Sequence, residues 1–395
     1  MRIARIEAIP LRIPRDIDNA SGMAGSPTAL GGRGQYRWSK VYPALYSIHA
    51  ESALVKIVTD TGLVGWGECQ APIAPQVVCA IIHHLLQPVL IGEELPVNLR
   101  AIQSLWERLY NTMRVRGQTG GFMLDAISGV DLAIWDLVGK WKAKPVCDLI
   151  RGDSKTKVPV YLSGVTGSGV HEQVDFALSY RDRGVRDFKI YFNDSRDALL
   201  RLLDALQKRL SNTGRVAVDA LWRLELHSAL SFGSELDQRG VSWLECPLMP
   251  EDPIAHGQLA RELKTPLALG ESYRTHWEMA PFFSARALRI VQPDLGRSGI
   301  TEALRIARHA EAEGVAVIPH VSIALGPQLA AAIHFAAAVQ DCRLCEFNPD
   351  IFDIANRFLK SPLQVSDGNY QVPQSAGLGI EINEEDLHPY RIPAS

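Results

Sequence analysis

The chain has 395 residues, 47% hydrophobic and 22% charged, which excludes a disordered polypeptide and leaves room for two ordinary domains. Its formal net charge of −3, with Lys and Arg scattered along the chain, gives no basic face for nucleic acid and favours a small-molecule partner. No run approaches the roughly 20 apolar residues that span a bilayer, the N-terminus lacks a signal-peptide core, and six cysteines are too sparse for a disulfide framework, so a cytoplasmic location is expected.

Residues 2–13 alternate in side-chain character and predict a first strand. A Gly/Ser/Pro-rich stretch over residues 16–36 has no clear period and predicts a long mobile loop. Residues 52–58, the turn Thr59-Asp-Thr-Gly62 and residues 63–68 predict a hairpin. Helical patterns follow from residue 75 to residue 142, completing an α+β portion over residues 1–150.

From Val158 the texture changes to short β-branched runs separated by amphipathic segments, the pattern of repeated βα units. The runs cover residues 158–162, 188–192, 215–219, 241–245, 266–271, 288–292, 315–318 and 343–346. Eight parallel strands joined by helices close into a barrel, here over residues 151–350. After the eighth run comes a short helical stretch at 350–359 and a Gly/Pro-rich tail, an improbable outer helix. Residues 351–395 are therefore expected to run back onto the N-terminal portion. Cys342 and Cys345 form a CxxC, but in a strand positions i and i+3 face opposite sides, which argues against a redox or zinc site.

The reactive groups of such a barrel sit at the carboxyl ends of its strands. Here those ends carry Lys189, Tyr191, Asp219, Glu245, Glu271, Asp294, His320 and Glu346, and from Asp219 onward the steps are 26, 26, 23, 26 and 26 residues. Carboxylates gathered on one point repel one another unless a cation holds them. Asp219, Glu245 and Glu271 offer the hard oxygen ligands that suit Mg²⁺, with Mn²⁺ as the alternative, better than zinc.

Asp294 and His320 end neighbouring strands, so the carboxylate can fix the imidazole tautomer and raise its basicity. His309 and His334 fall on outer helical segments and read as structural. Lys189 and Tyr191 share one strand face, and the ammonium is expected to lower the tyrosine pKa, making Tyr191 a candidate second acid/base. Together these groups suit removal of a proton beside a carboxylate, the developing enediolate being met by the cation, by Lys189 and by a protonated Glu346.

Through Gly65-Trp-Gly-Glu68, the segment from Ala126 to Lys140, Val218-Asp-Ala220, Trp243-Leu-Glu-Cys-Pro247, Leu269-Gly-Glu-Ser272, Gln292-Pro-Asp294 and Ile318-Pro-His-Val321, the sequence resembles the enolase superfamily and its mandelate racemase-like group nearly end to end. The resemblance implies a (β/α)7β TIM-like barrel with an α+β capping domain completed by the C-terminal tail, one essential Mg²⁺, a His320–Asp294 dyad, and Glu346 bonded to the substrate carboxylate. It also implies a homo-oligomer and a cap loop, residues 16–46, that closes the site. The group commonly carries Lys-x-Lys on the second barrel strand, whereas Lys189-Ile-Tyr191 puts tyrosine at the second base, which places two-base racemisation in doubt.

A lyase or isomerase of a small hydroxycarboxylate is therefore expected, acid-sugar dehydration first and an epimerase or cycloisomerase second. Arg116, Tyr36, Trp38, Tyr42 and Tyr46 are candidates for the distal end of the substrate. A metal hydrolase would want His-x-His on the first barrel strand, where Val158–Leu162 has none. A non-catalytic carboxylate-binding barrel remains the bland alternative, and Gly296-Arg-Ser-Gly299 reads as a turn into the following helix more readily than as a phosphate cradle.

Overall fold

In the computed structural model, which describes residues 1–15, 30–40 and 44–393, three antiparallel strands, Ile3–Pro14, His49–Thr59 and Val64–Cys69, form the sheet of the N-terminal domain. The predicted hairpin turns at Thr59, whose N–H donates to the carbonyl of Leu63. Against this sheet lies the helix Phe122–Trp141, with 17 of its 20 residues buried. It is buried on nearly all sides because the sheet covers one face and the barrel helix Leu295–Glu313 another. The contact needs glycine: a Cβ on Gly67 would lie 1.9 Å from the Gly129 carbonyl oxygen, and one on Gly129 would lie 2.3 Å from Cys69 Sγ.

Of the expected loop over residues 16–36, residues 16–29 lie outside the described residues; Leu30–Gly31 pairs with Tyr36–Ser39, and that strand with Leu45–Ser47, as a small antiparallel sheet. Two- to four-residue strands leave no period to read in a sequence.

Eight parallel strands follow: Lys157–Ser163, Asp187–Tyr191, Arg215–Asp219, Leu244–Glu245, Leu267–Leu269, Ile290–Val291, Ala316–Val317 and Cys345–Phe347. They pair in sequence order, the eighth pairs with the first, and a single bridge, Val317 to Cys342, spans the seventh and eighth. Tyr161, Ala217, Trp243, Ala268, Ile290, Ile318 and Leu344 fill the interior as a cluster of their own. This plug makes the barrel a packed core and not a pore. Cys342 and Cys345 are both buried free thiols, as in an ordinary strand.

The tail first adds a hairpin, Gln364–Ser366 with Asn369–Gln371, to the start of the first barrel strand. It then crosses to the N-terminal domain, where Val146 N–H donates to the Gly377 carbonyl, the Leu378 N–H to Asp136, and Arg391 pairs with Glu7 at 3.0 Å. The architecture is thus a barrel with an α+β cap that the C-terminal tail completes. No helix among the described residues is long and apolar enough to cross a membrane.

Candidate active site

The register of the parallel strands sets the first layer of the site. Tyr191 lies opposite Asp219, and Asp219 opposite Glu245, so three consecutive strands present polar side chains at one height above the apolar plug. Glu271 follows two residues beyond the fifth strand, after Gly270, which packs directly on the Gln292 backbone. Oxygen atoms of Asp219, Glu245 and Glu271 all lie within 4.8 Å of one another. Burial, reinforced by the Glu245 charge, pushes the Asp219 carboxyl well above its ordinary range, and burial also raises Glu271. Three hard oxygen donors gathered on one point, with Asp219 and Glu271 reluctant to ionise there, are a fit for a small divalent cation.

Lys189 stands at the centre of the same floor, 1% exposed. Its Nζ donates to Glu245 Oε1 at 2.5 Å and lies 3.0 Å from Glu346 Oε1 and 3.7 Å from Asp219 Oδ2. The other Glu245 oxygen accepts from Trp243 Nε1 at 3.0 Å and Gln292 Nε2 at 2.8 Å. Such a carboxylate is locked in rotamer before any ligand arrives.

Across the floor, His320 Nδ1 and Asp294 Oδ2 are 2.7 Å apart. The second Asp294 oxygen accepts from the Gly296 N–H and from Gln328 Nε2. His320 Nε2 points at the cluster, 3.4 Å from Glu271 and 3.9 Å from Glu346. Although burial favours the neutral ring, Glu271, Glu346 and Asp294 together raise the His320 pKa to about 10.

These surroundings set the charge of Glu346 before a ligand arrives, and they correct one sequence expectation, the lowered Tyr191 pKa. Burial would raise Glu346, but Lys189 and His320 outweigh it and hold the carboxyl at about 2 before a substrate carboxylate faces it. For Tyr191 the balance is reversed: burial raises the phenol well above its ordinary value despite the nearby Lys189 ammonium. That ammonium is already engaged by three carboxylates. Tyr191 therefore keeps its proton and shares a 2.8 Å hydrogen bond with Ser163.

A cavity of about 340 Å³ lies between this floor and the cap. Of the cap residues singled out in the sequence, Tyr46 lines it. Trp38 is 62% exposed, and the Tyr36 hydroxyl is spent on Glu51 at 2.9 Å. Arg116 is exposed on a short 3-10 turn, and Tyr42 lies outside the described residues. Arg15, His49, Ser163 and Arg297 also line the cavity and were passed over. Glu68 and Gln328 were not assigned a role either, although Glu68 sat in a quoted motif; the fully buried Glu68 accepts from the backbone N–H groups of Leu325 and Gln328 and so ties the cap hairpin to the loop that supports Asp294. His334 is fully buried and accepts from the Cys147 N–H through Nδ1, and His309 stacks on Phe283. Neither is at the site.

Residues 172–386 match the family model for the enolase C-terminal domain-like fold, and residues 38–151 match that for the mandelate racemase / muconate lactonizing enzyme N-terminal domain. The chain belongs to the mandelate racemase-like family of the enolase superfamily. Among relatives of this family, D-galactarolactone cycloisomerase of Agrobacterium fabrum is 32% identical, the match covering 86% of this chain and 91% of that one. Arabinonate dehydratase of Saccharolobus solfataricus is 30% identical with the same coverage of both chains. A solved enolase-superfamily member from Agrobacterium tumefaciens superposes with a TM-score of 0.92 at 30% identity, covering 99% of each chain. With such relatives the chain is an enzyme of the enolase superfamily's lyase or isomerase kind.

Proposed function

We propose that this enzyme removes the proton alpha to the carboxylate of a sugar acid, with one Mg²⁺, or Mn²⁺ in its place, held by Asp219, Glu245 and Glu271, and that the outcome is dehydration to a 2-keto-3-deoxy acid. The observation that carries the reading is the position of His320, tethered at Nδ1 by Asp294 and aiming Nε2 across the carboxylate cluster.

When bound, the cation supplies Lewis-acid stabilisation of the negative charge that develops on the substrate carboxylate. Lys189 offers a fixed ammonium for the same charge. It needs no rearrangement in the transition state, because Glu245 and Glu346 already hold it. Glu346 faces an incoming carboxylate, and two like charges at close range raise one pKa; it takes up a proton on substrate binding and donates a hydrogen bond. His320 must be neutral to act as base. Once Glu271 serves as a ligand, the largest of the charges holding a proton on the ring is offset, leaving Nε2 free to accept the α-proton. The same imidazolium then protonates the departing β-hydroxyl, so a single histidine suffices for β-elimination.

Cycloisomerisation is the second reading, favoured by the 32% identical relative of that name and by Tyr191, a protonated phenol on a strand far around the barrel from His320. A homo-oligomeric state is part of the proposal and is read by sedimentation. The reaction itself is tested by incubating metal-loaded enzyme with sugar acids and their lactones in deuterated solvent. A keto acid trapped by semicarbazide supports dehydration, and α-deuterium without keto acid supports the isomerase. His320→Asn lowers turnover by about 10³-fold or more with an unchanged thermal transition. Wild-type turnover in that variant removes His320 as the base.

A further inference from the structure

The polar groups of the cavity nearly all have partners. Lys189 is held by Glu245 and Glu346, His320 by Asp294 and Glu271, and Tyr191 by Ser163. Two lining groups lack one, His49 Nδ1 and Arg297 Nε, and of the two only the guanidinium carries a permanent charge. It lines the same cavity, yet its Nε is shut off from solvent and meets no hydrogen-bond acceptor among the described residues, and none of the ion pairs among them includes it. A guanidinium on the cavity wall with no carboxylate partner is placed to meet an anionic ligand entering the cavity.

Its surroundings do not supply that anion. The acidic group that feels its charge, Asp125, is already held by both ends of the Arg274 fork at 3.0 and 3.1 Å. Arg15, the other guanidinium on the cavity wall, has Asp350 to offset its burial. Arg297 sits three residues past Asp294, in the first turn of the helix after the sixth barrel strand. Lys189 rises from the second strand. In an eight-stranded ring these strands face each other, so a ligand gripped at one end over Lys189 has its far end toward Arg297.

We infer that Arg297 receives a second carboxylate at the distal end of the substrate, and that the preferred substrate class is an open-chain dicarboxylic sugar acid and not an aldonic acid ending in CH₂OH. This rests on the proposed α-proton chemistry for its orientation. Guanidinium and carboxylate match as a planar charge-assisted pair, and a hydroxymethyl end would bring no charge to meet it.

The test pairs an open-chain six-carbon aldaric acid with the aldonic acid that differs from it only in carrying CH₂OH in place of the distal carboxylate. Metal-loaded wild type is compared with Arg297→Met and Arg297→Lys for kcat/KM. Binding is measured by calorimetry in the His320→Asn background with and without each Arg297 change, so that affinity is read even where nothing turns over. The expected result is a preference for the diacid of about a hundredfold that collapses to within about threefold in Arg297→Met and is partly kept in Arg297→Lys. No preference in the wild type, or equal weakening of both ligands by Arg297→Met, overturns the inference. If Arg297→Met does not fold, the wild-type preference and its reduction in Arg297→Lys decide in the same way. Aldonate turned over as well as the diacid overturns this inference alone; a missing α-hydrogen exchange with both, beside a clear binding preference, supports the distal site and instead overturns the proposed reaction.

Discussion

Tyr191 is the residue where charge and burial pull in opposite directions, and the outcome assigns its chemistry. A phenolate would make it a base; a phenol kept protonated by burial and tied to Ser163 makes it a donor at most. Tyr191→Phe is accordingly expected to lower kcat/KM for dehydration by about tenfold or less, far short of the loss in His320→Asn. Loss of activity equal to that of His320→Asn would make the tyrosine a full partner in proton transfer. His334 offers a prediction in pH. Burial lowers its pKa to about 4, so between that value and the ordinary 6.5 the unfolded chain binds a proton that the folded chain refuses. Its contribution is present above pH 6.5 and is lost as pH falls toward 4, by about 3 kcal/mol. Buried acids such as Asp131, raised to about 7, slope the opposite way, so the difference between wild type and His334→Gln is the quantity to follow. Urea unfolding at pH 7 and pH 4 should show that gap narrowing on acidification, and a gap that widens would contradict the assignment. None of these balances is legible in the sequence, because each depends on how many neighbours surround one atom. The identity of the groups was legible: seven strand-end positions and His320 could be named from spacing alone.

At the scale of elements, the active site depends on how closely the cap helix Phe122–Trp141 approaches the strand Val64–Cys69. Glycines at 67 and 129 allow backbone to touch backbone, and Glu68 on that strand reaches the barrel loop at Leu325 and Gln328. Gln328 in turn donates to Asp294 at 3.1 Å, so the packing of the cap extends to the partner of the base. Gly67→Ala puts a methyl group into the Gly129 carbonyl and should cost about 3 kcal/mol, measured as a lowered denaturation midpoint. A variant as stable as wild type would mean that the helix stands farther off than described. The Gly-Trp-Gly-Glu motif was visible in the sequence, and so was the hairpin that ends in it. Its reach across to Gln328 joins residues 260 positions apart, and one chain without its fold gives no signal for such a pairing. Arg297 was hidden for a different reason: between two glycines it reads as part of a turn, and only the cavity wall distinguishes it.

Across the whole molecule, the barrel supplies chemistry and the cap supplies enclosure. The eight strands and their order followed from the βα repeat, since buried parallel strands are short, β-branched and evenly spaced. The cap's inner surface did not follow, because its short strands carry no periodicity and its contacts are all long-range. What unites both halves is a cluster of buried carboxylates over an apolar plug, an arrangement that is costly without a cation. The most direct measurement is an anomalous diffraction map from a crystal of the Mn²⁺-loaded enzyme. A single strong peak is predicted, about 2.0–2.3 Å from an oxygen of each of Asp219, Glu245 and Glu271, and absent in Asp219→Asn. A peak held by other residues, or none at saturating Mn²⁺, would contradict the account.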